Sequence, residues 1–178
     1  MEVGPDLLGR IVVRRLADGT RLAARITECE AYRPDDPASH SFRGPTPRNR
    51  VMFGPAGHLY VYFVYGMHHC MNVVTGGAGE GSAVLLRAAE PLEGLDEMRR
   101  RRGREALGDL CAGPGRLCEA LGVDRSLDGA DLVRGRDIWI TAGEPVDAER
   151  VRSGPRVGIR VGVDHPWRFR IAGDPHVS

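Results

Sequence analysis

The sequence contains no lysine: all 25 of its Lys+Arg residues are arginine. Chemistry that needs a side-chain amine, such as a Schiff base, is excluded unless the chain's own N-terminus supplies it. Arginine is also the better partner for phosphate, which its planar fork holds with two parallel hydrogen bonds. A second absence is net charge. The formal balance is +1, so affinity for a polyanion has to come from a local patch, and a protein acting on a small molecule would look the same. Paired CxxC spacing is missing around Cys29, Cys70, Cys111 and Cys118, which argues against a zinc site or a redox motif. No apolar stretch reaches transmembrane length and none reads as a signal peptide. A cytosolic protein with reduced thiols and no membrane partner is expected. There is no internal repeat or low-complexity tract, and 178 residues suit one domain with its own core.

The densest signal lies between Gly57 and Asn72. Tyr60 to Tyr65 is an unbroken run of β-branched and aromatic residues, which favours a partly buried strand over a helix. The run stops at Gly66 and resumes at Cys70-Met71-Asn72-Val73-Val74, the pattern of a hairpin whose tip carries Tyr65, Met67 and His68. Alternation sets Tyr60 and Tyr62 on one face and leaves Tyr65 at the turn. An aromatic wall beside a projecting ring suits the stacking of one base and the opening of a duplex step. The plainer reading is a strand with aromatic residues in the core.

Around this hairpin, Leu7 to Leu16 and Arg21 to Tyr32 read as strands turning at Asp18-Gly19. Arg33 to Asn49 reads as a loop, since Pro34, Pro37, Pro45 and Pro47 block regular pairing. Its length, with Asp35, Asp36, His40, Arg43, Arg48 and Asn49, points to a site. Ser82 to Ala88 is a further strand. Leu92 to Leu110 reads as a helix carrying Arg99, Arg100, Arg101, Arg102 and Arg104, either a solvated face or a phosphate-facing patch. Gly113-Pro114-Gly115 opens a second helix to about Leu121, with Arg116 one step inside. That turn either presents N–H groups to an anion or simply joins two helices. Asp137 to Thr141, Arg156 to Val163 and Trp167 to Ala172 return to strands. The implied class is α+β, a single domain over 1–178 built on a curved, mostly antiparallel sheet with surrounding helices and a protruding hairpin.

Glu28 and Glu30 lie two apart on a strand and so share a face, which suits either a base in a cleft or two exposed carboxylates. Cys29 between them is a poor nucleophile, because neighbouring negative charge disfavours its thiolate. His68-His69 invites a metal reading, but adjacent strand residues point to opposite faces.

Taken in order, several motifs resemble the alkyladenine (3-methyladenine) DNA glycosylase family. They are Glu28-Cys29-Glu30-Ala31-Tyr32, His40, Thr46-Pro47-Arg48-Asn49-Arg50, Met52-Phe53-Gly54, His58-Leu59-Tyr60-Val61-Tyr62 and Tyr65-Gly66-Met67. Asn72, Leu85-Leu86-Arg87-Ala88, Glu90-Pro91-Leu92-Glu93-Gly94, Leu110-Cys111-Ala112-Gly113-Pro114 and Arg156-Val157-Gly158 continue the likeness along nearly the whole chain. The resemblance implies a DNA repair enzyme that flips alkylated or deaminated purines from double-stranded DNA and hydrolyses the N-glycosidic bond with water. It implies no metal and no organic cofactor.

By position, Glu30 resembles the family's general base. Tyr32, His40, Tyr62 and Asn72 resemble the pocket for the flipped base, with Asn72 crowding the amino group of normal guanine. Tyr65 resembles the wedge that fills the gap in the stack. Arg87, Met67 and Arg48 resemble contacts to the DNA backbone. A glycine common in the family between positions 33 and 34 is absent, which shortens the path from Tyr32 to His40. The chain starts just before Leu7-Leu8-Gly9, short of the helical lead-in of longer members. A monomer is the default expectation, since the sequence offers no interface with which to argue an oligomer, and the expected location is the cytoplasm, on the nucleoid if the source is bacterial. Without lysine, strand cleavage through a side-chain imine is not available. Two other readings fit less of the chain: a non-catalytic damaged-DNA binding protein, and a small-molecule hydrolase using Glu28 and Glu30 as an acid/base pair.

Overall fold

A computed structural model describes residues 2–178. Its frame is an antiparallel sheet of β1 (Ile11–Arg15), β2 (Arg21–Tyr32), β3 (Leu59–Val64), β4 (His68–Thr75), β5 (Ser82–Glu93), β6 (Ile138–Thr141), β7 (Val151–Gly154) and β8 (Arg168–Ile171). The strands run in the order β3-β4-β5-β2-β1-β6; β8 pairs with β2 and β7 with β8. One edge of β2 is thus shared, by β1 along Arg21 to Arg25 and by β8 along Glu28 to Glu30. The helices are α1 (Val3–Leu7), α2 (Leu95–Arg102), α3 (Leu107–Leu110) and α4 (Pro114–Leu121). No helix among the described residues is long and apolar enough to cross a membrane.

The two faces of the sheet have different work. Leu59 and Val61 of β3, Met71 and Val73 of β4, and Val84 and Leu86 of β5 point into a core closed by Leu117, Cys118, Ala120 and Leu121 of α4. Burying each large aliphatic side chain there stabilises the fold by roughly 1.5–3 kcal/mol. Their alternates, Tyr60, Tyr62, Cys70, Asn72, Leu85 and Arg87, line a cavity on the other face. On β2 the alternation changes phase. Leu22, Ala24 and Ile26 face the core, but so do Cys29 and Ala31, and the register with β5 shifts between Ile26 and Glu28 and again between Glu28 and Cys29. An extra residue at a bulge moves every following side chain to the opposite face and bends the strand. Here it curves the sheet and turns Glu28, Glu30 and Tyr32 away from the core.

The expected class holds: α+β, with a curved antiparallel sheet and a few helices. Several boundaries do not. Leu92 to Leu110 is not one helix: β5 runs on through Pro91 to Glu93, and the helix that follows ends at Gly103, whose φ of 58° lies in the left-handed region that suits glycine. Arg156 to Val163 is irregular rather than a strand, and Val151–Gly154 pairs in its place. Leu7 closes a short helix instead of opening a strand. The arginines of α2 are held by carboxylates: Arg99 by Asp96, Arg100 and Arg101 by Glu97, and Arg102 by Glu119. That helix face is a paired surface, not a free cationic patch.

Candidate active site

The cavity on the open face of the sheet has a volume of about 360 Å³, within the range of small-ligand pockets, roughly 300–1,000 Å³. β3 and β4 supply its floor with Tyr60, Tyr62, Cys70 and Asn72; β2 and β5 add Tyr32 and Arg87. The loop after β2 contributes Ala38 and His40, and the irregular segment after β7 contributes Val157, Gly158 and Ile159. Val64 and Tyr65 stand at the hairpin end of the same cavity.

The walls are aromatic. His40 meets Tyr62 edge to face at 4.5 Å, and Tyr60 and Tyr62 lie 5.6 Å apart. His40 Nδ1 is 3.0 Å from the Tyr60 hydroxyl. Burial pushes the Tyr60 phenol up to about 12 and raises Tyr32 and Tyr62 further, with Glu30 adding to the shift at Tyr32. The rings are therefore neutral faces. Burial and the nearby Arg48 also lower the His40 pKa, favouring its neutral form.

His40 is set in place by Asn49, a buried residue of its own loop. The Asn49 amide donates to the carbonyls of His40 at 2.7 Å and Gly44 at 3.1 Å, and its oxygen accepts from Thr46 N at 2.6 Å and Thr46 Oγ1 at 2.9 Å. Asp36 anchors the start of the loop through a fully buried pair with Arg156. Of the polar residues that marked this loop in the sequence, Asp36 and Asn49 are thus supports rather than cavity groups.

Glu30 is completely buried, with 0% exposure. Three groups surround its carboxylate, and all three line the cavity. The Tyr32 hydroxyl donates to Oε2 at 2.9 Å, the Val157 backbone N–H donates to Oε1 at 2.7 Å, and Arg87 Nη1 lies 3.4 Å from Oε1. The carboxylate sits one layer behind the cavity wall, in a shell made entirely of donors. Arg87 also reaches Glu28, with Nε 3.4 Å from Oε1, and approaches Ser178 Oγ at 3.3 Å. Glu28 is taken up by Arg168 and by the backbone N–H of Ser178 at 2.6 Å. It is a structural acceptor, so the two glutamates do not form an acid/base pair facing one ligand.

The hairpin tip is the other pole of the site. Tyr65 is 82% exposed, with φ 55°, the only non-glycine residue in the left-handed region among those described. Gly66 follows at φ 70°, and Met67 N–H closes the turn on the Val64 carbonyl at 3.2 Å. Positive φ at both central residues belongs to a type I′ turn. Such a conformation costs an aromatic residue about 1–2 kcal/mol, which points to a use outside the fold. Met67 is exposed beside it, and Arg48 tethers the hairpin by donating to the Phe63 carbonyl at 3.1 Å.

A chain-long comparison decides the family. Residues 1–175 match the model of methylpurine-DNA glycosylase. The chain belongs to that family. A relative from Streptomyces avermitilis is 53% identical over 184 aligned residues, covering 100% of this chain and 85% of its own length; one from Carboxydothermus hydrogenoformans is 47% identical over 176, covering 99% and 92%. A third, from Rubrobacter xylanophilus, is 52% identical over 169, covering 95% and 87%, and all three carry the name "Putative 3-methyladenine DNA glycosylase". Membership makes the chain a DNA glycosylase, an enzyme acting on N-glycosyl bonds in DNA.

Within this glycosylase, Tyr32, His40, Tyr62, Asn72, Tyr65 and Arg87 all line one cavity, while Met67 and Arg48 lie on or against the hairpin beside it. Arg87 is largely buried between two carboxylates, whereas Arg48 and Met67 are exposed. Two contributors appear in the sequence analysis only within the Arg156-Val157-Gly158 motif, with no role given to either. The Val157 N–H, 127 residues from Glu30, acts through backbone and leaves no side-chain signal. Arg156, whose guanidinium lies 4.6 Å from the Tyr32 ring and 5.1 Å from Trp167, falls in a segment read as a strand. Cys29, Cys70, Cys111 and Cys118 are all buried with free thiols, and burial raises each. No group of three or more potential metal ligands occurs among the described residues.

Proposed function

We propose that this glycosylase turns an alkylated or deaminated purine out of double-stranded DNA, seats it in the aromatic cavity and hydrolyses its N-glycosidic bond with a water that loses its proton to Glu30. The observation that carries the reading is a shared location. The exposed ring of Tyr65 and the donor shell of Glu30 open on the same 360 Å³ cavity, so a nucleotide leaving the stack beside Tyr65 enters the space in front of the carboxylate.

Each step has a physical source. Unstacking a base costs a few kcal/mol, less when it is damaged or mispaired, and the Tyr65 ring fills the gap left behind. Tyr32, His40 and Tyr62 enclose the base, and an aromatic face attracts a positively charged ring by about 0.5–2 kcal/mol, which favours alkylated purines. Asn72, donating to the Tyr60 carbonyl at 3.1 Å, stands where the amino group of guanine would meet it. Loss of the base leaves an oxocarbenium-like sugar, stabilised by a nearby carboxylate that also receives the proton of the attacking water. Arg87 holds Glu30 and offers its remaining N–H groups to the nucleotide's phosphate. Met67 and Arg48 contact the backbone on the hairpin side.

The reaction we propose is monofunctional: with no lysine present, no side-chain imine can form with the abasic sugar. The base in the relatives' name, 3-methyladenine, is the first substrate to try. Incubation of the purified protein with dimethyl-sulfate-treated duplex DNA should release free methylpurine and leave strands that break only on alkali treatment. Strands broken without alkali, or intact strands with no free base, would refute the proposal.

A further inference from the structure

The segment after β7 carries apolar side chains that the fold leaves uncovered. Val157, Val161 and Val163 are 45%, 49% and 46% exposed, a concentration that points to contact outside the chain. The stretch is held firmly all the same. Arg156, in its buried pair with Asp36, donates to the carbonyls of Ala31 at 3.1 Å and Gly162 at 3.2 Å, so one guanidinium ties both ends of the loop. Between the ties, Val157, Gly158 and Ile159 wall the cavity. The next residue, Arg160, is exposed and has no ion pair or hydrogen bond among the described residues, unlike the arginines of α2, which carboxylates neutralise. The loop also stands across the cavity from the hairpin. Its Val157 N–H bonds to Glu30 of β2, and β5 separates β2 from β4. Two strand spacings set those strands roughly 10 Å apart.

Resting on the reading that a purine leaves the duplex for this cavity, we propose that Arg160 grips a backbone phosphate of the damaged strand, on the side of the cavity away from Tyr65. A strand that has given up one nucleotide to the cavity runs along its mouth, alternating anionic phosphates with the apolar faces of its sugars. The loop offers the complement. Its guanidinium fork holds two phosphate oxygens in parallel, and Val157 and Val161 on either side rest against the sugars. Arg48 is exposed on the hairpin side, so the two arginines brace the strand on both sides of the nucleotide that has left the stack. Contacts of this kind carry no sequence information; they fix where the protein sits on its duplex. Arg160 serves binding and touches no reacting atom.

The test is equilibrium binding of a duplex carrying a tetrahydrofuran abasic site, followed by fluorescence anisotropy between about 50 and 200 mM salt. Losing one phosphate contact lowers the slope of log affinity against log salt by about 0.9, which amounts to about an eightfold loss at 0.1 M relative to 1 M. Arg160→Ala should show both effects, and Arg160→Lys, which keeps the charge, should recover the slope. Arg136→Ala removes an equal charge from an exposed residue beside β6, at the opposite edge of the sheet from β3, and should match wild type. Neutral methylphosphonates placed singly along the damaged strand then locate the contact: at one position the substitution should weaken wild type and leave Arg160→Ala unaffected. An unchanged slope in Arg160→Ala, an equal fall in Arg136→Ala, or methylphosphonate losses identical in both proteins at every position would overturn the proposal. None of these readouts needs turnover. Wild-type protein that frees no methylpurine would refute the proposed function, while the binding comparison still decides the role of Arg160.

Discussion

Asn49→Ala probes how the cavity wall is held without touching a group that meets the substrate. Asn49 is buried, and its side chain satisfies the carbonyls of His40 and Gly44 and both the backbone N–H and the hydroxyl of Thr46. At a net 0.5–1.5 kcal/mol each, the four bonds sum to roughly 2–6 kcal/mol; partial relaxation of the loop into water leaves an expected loss of about 2–4 kcal/mol. With a urea dependence of about 1–3 kcal/mol per molar, the unfolding midpoint should drop by roughly 1–2 M. Freed from Asn49, the His40 carbonyl no longer fixes its ring against Tyr60 and Tyr62, so KM for methylated duplex should rise more than kcat falls. Asn49→Asp should be no better, since it replaces two donated bonds by a charge facing two carbonyls. A midpoint within about 0.3 M of wild type, with KM unchanged, would refute the reasoning.

Tyr65→Gly relieves the left-handed strain at the hairpin tip, so stability should hold or rise by up to ~1 kcal/mol while release of base from duplex collapses; a large loss of stability in urea would contradict the wedge reading. Asp36→Ala strands the buried Arg156 guanidinium, whose Nε already lacks a partner, and should cost about 3–5 kcal/mol in the same assay. His40 titrates below its ordinary value of 6.5 because burial and Arg48 disfavour the imidazolium. The unfolded chain therefore takes up this proton first. The His40 contribution to folding is whole above about pH 6.5 and declines as pH falls toward the folded-state value. His40→Gln should lessen the decline in urea midpoint between pH 7 and 5, and an unchanged slope would count against it.

Much of the sheet was legible because its signals are local. The Tyr60–Tyr65 run, the Gly66 stop and the alternation of Tyr60 with Tyr62 fix a hairpin without reference to the rest of the chain. What escaped depends on distant partners. Pro91 sits inside β5 opposite Ala24 next to a register shift, a place where a missing N–H is tolerated, yet the residue alone argues for a strand end. The alternating valines around Arg156 mimic a strand, but Gly158 at φ 77° and Gly162 at φ 62° turn the chain instead. The facing of Glu28 and Glu30 was readable from their spacing; that they point away from the core was not, since it is set by a bulge that only the pairing with β5 reveals. The burial of Glu30 behind Tyr32, Arg87 and Val157 was equally out of reach, because those contacts join three separate segments, β2, β5 and the stretch after β7.

The central claim is that the carboxylate at position 30 drives hydrolysis at a base held in the cavity that Tyr65 overhangs. Glu30→Gln keeps the side-chain shape and one acceptor while removing the base, so duplex binding should persist within a few fold and release of methylpurine should fall by about 100-fold or more. Release at the wild-type rate by a folded, DNA-binding Glu30→Gln protein would contradict it.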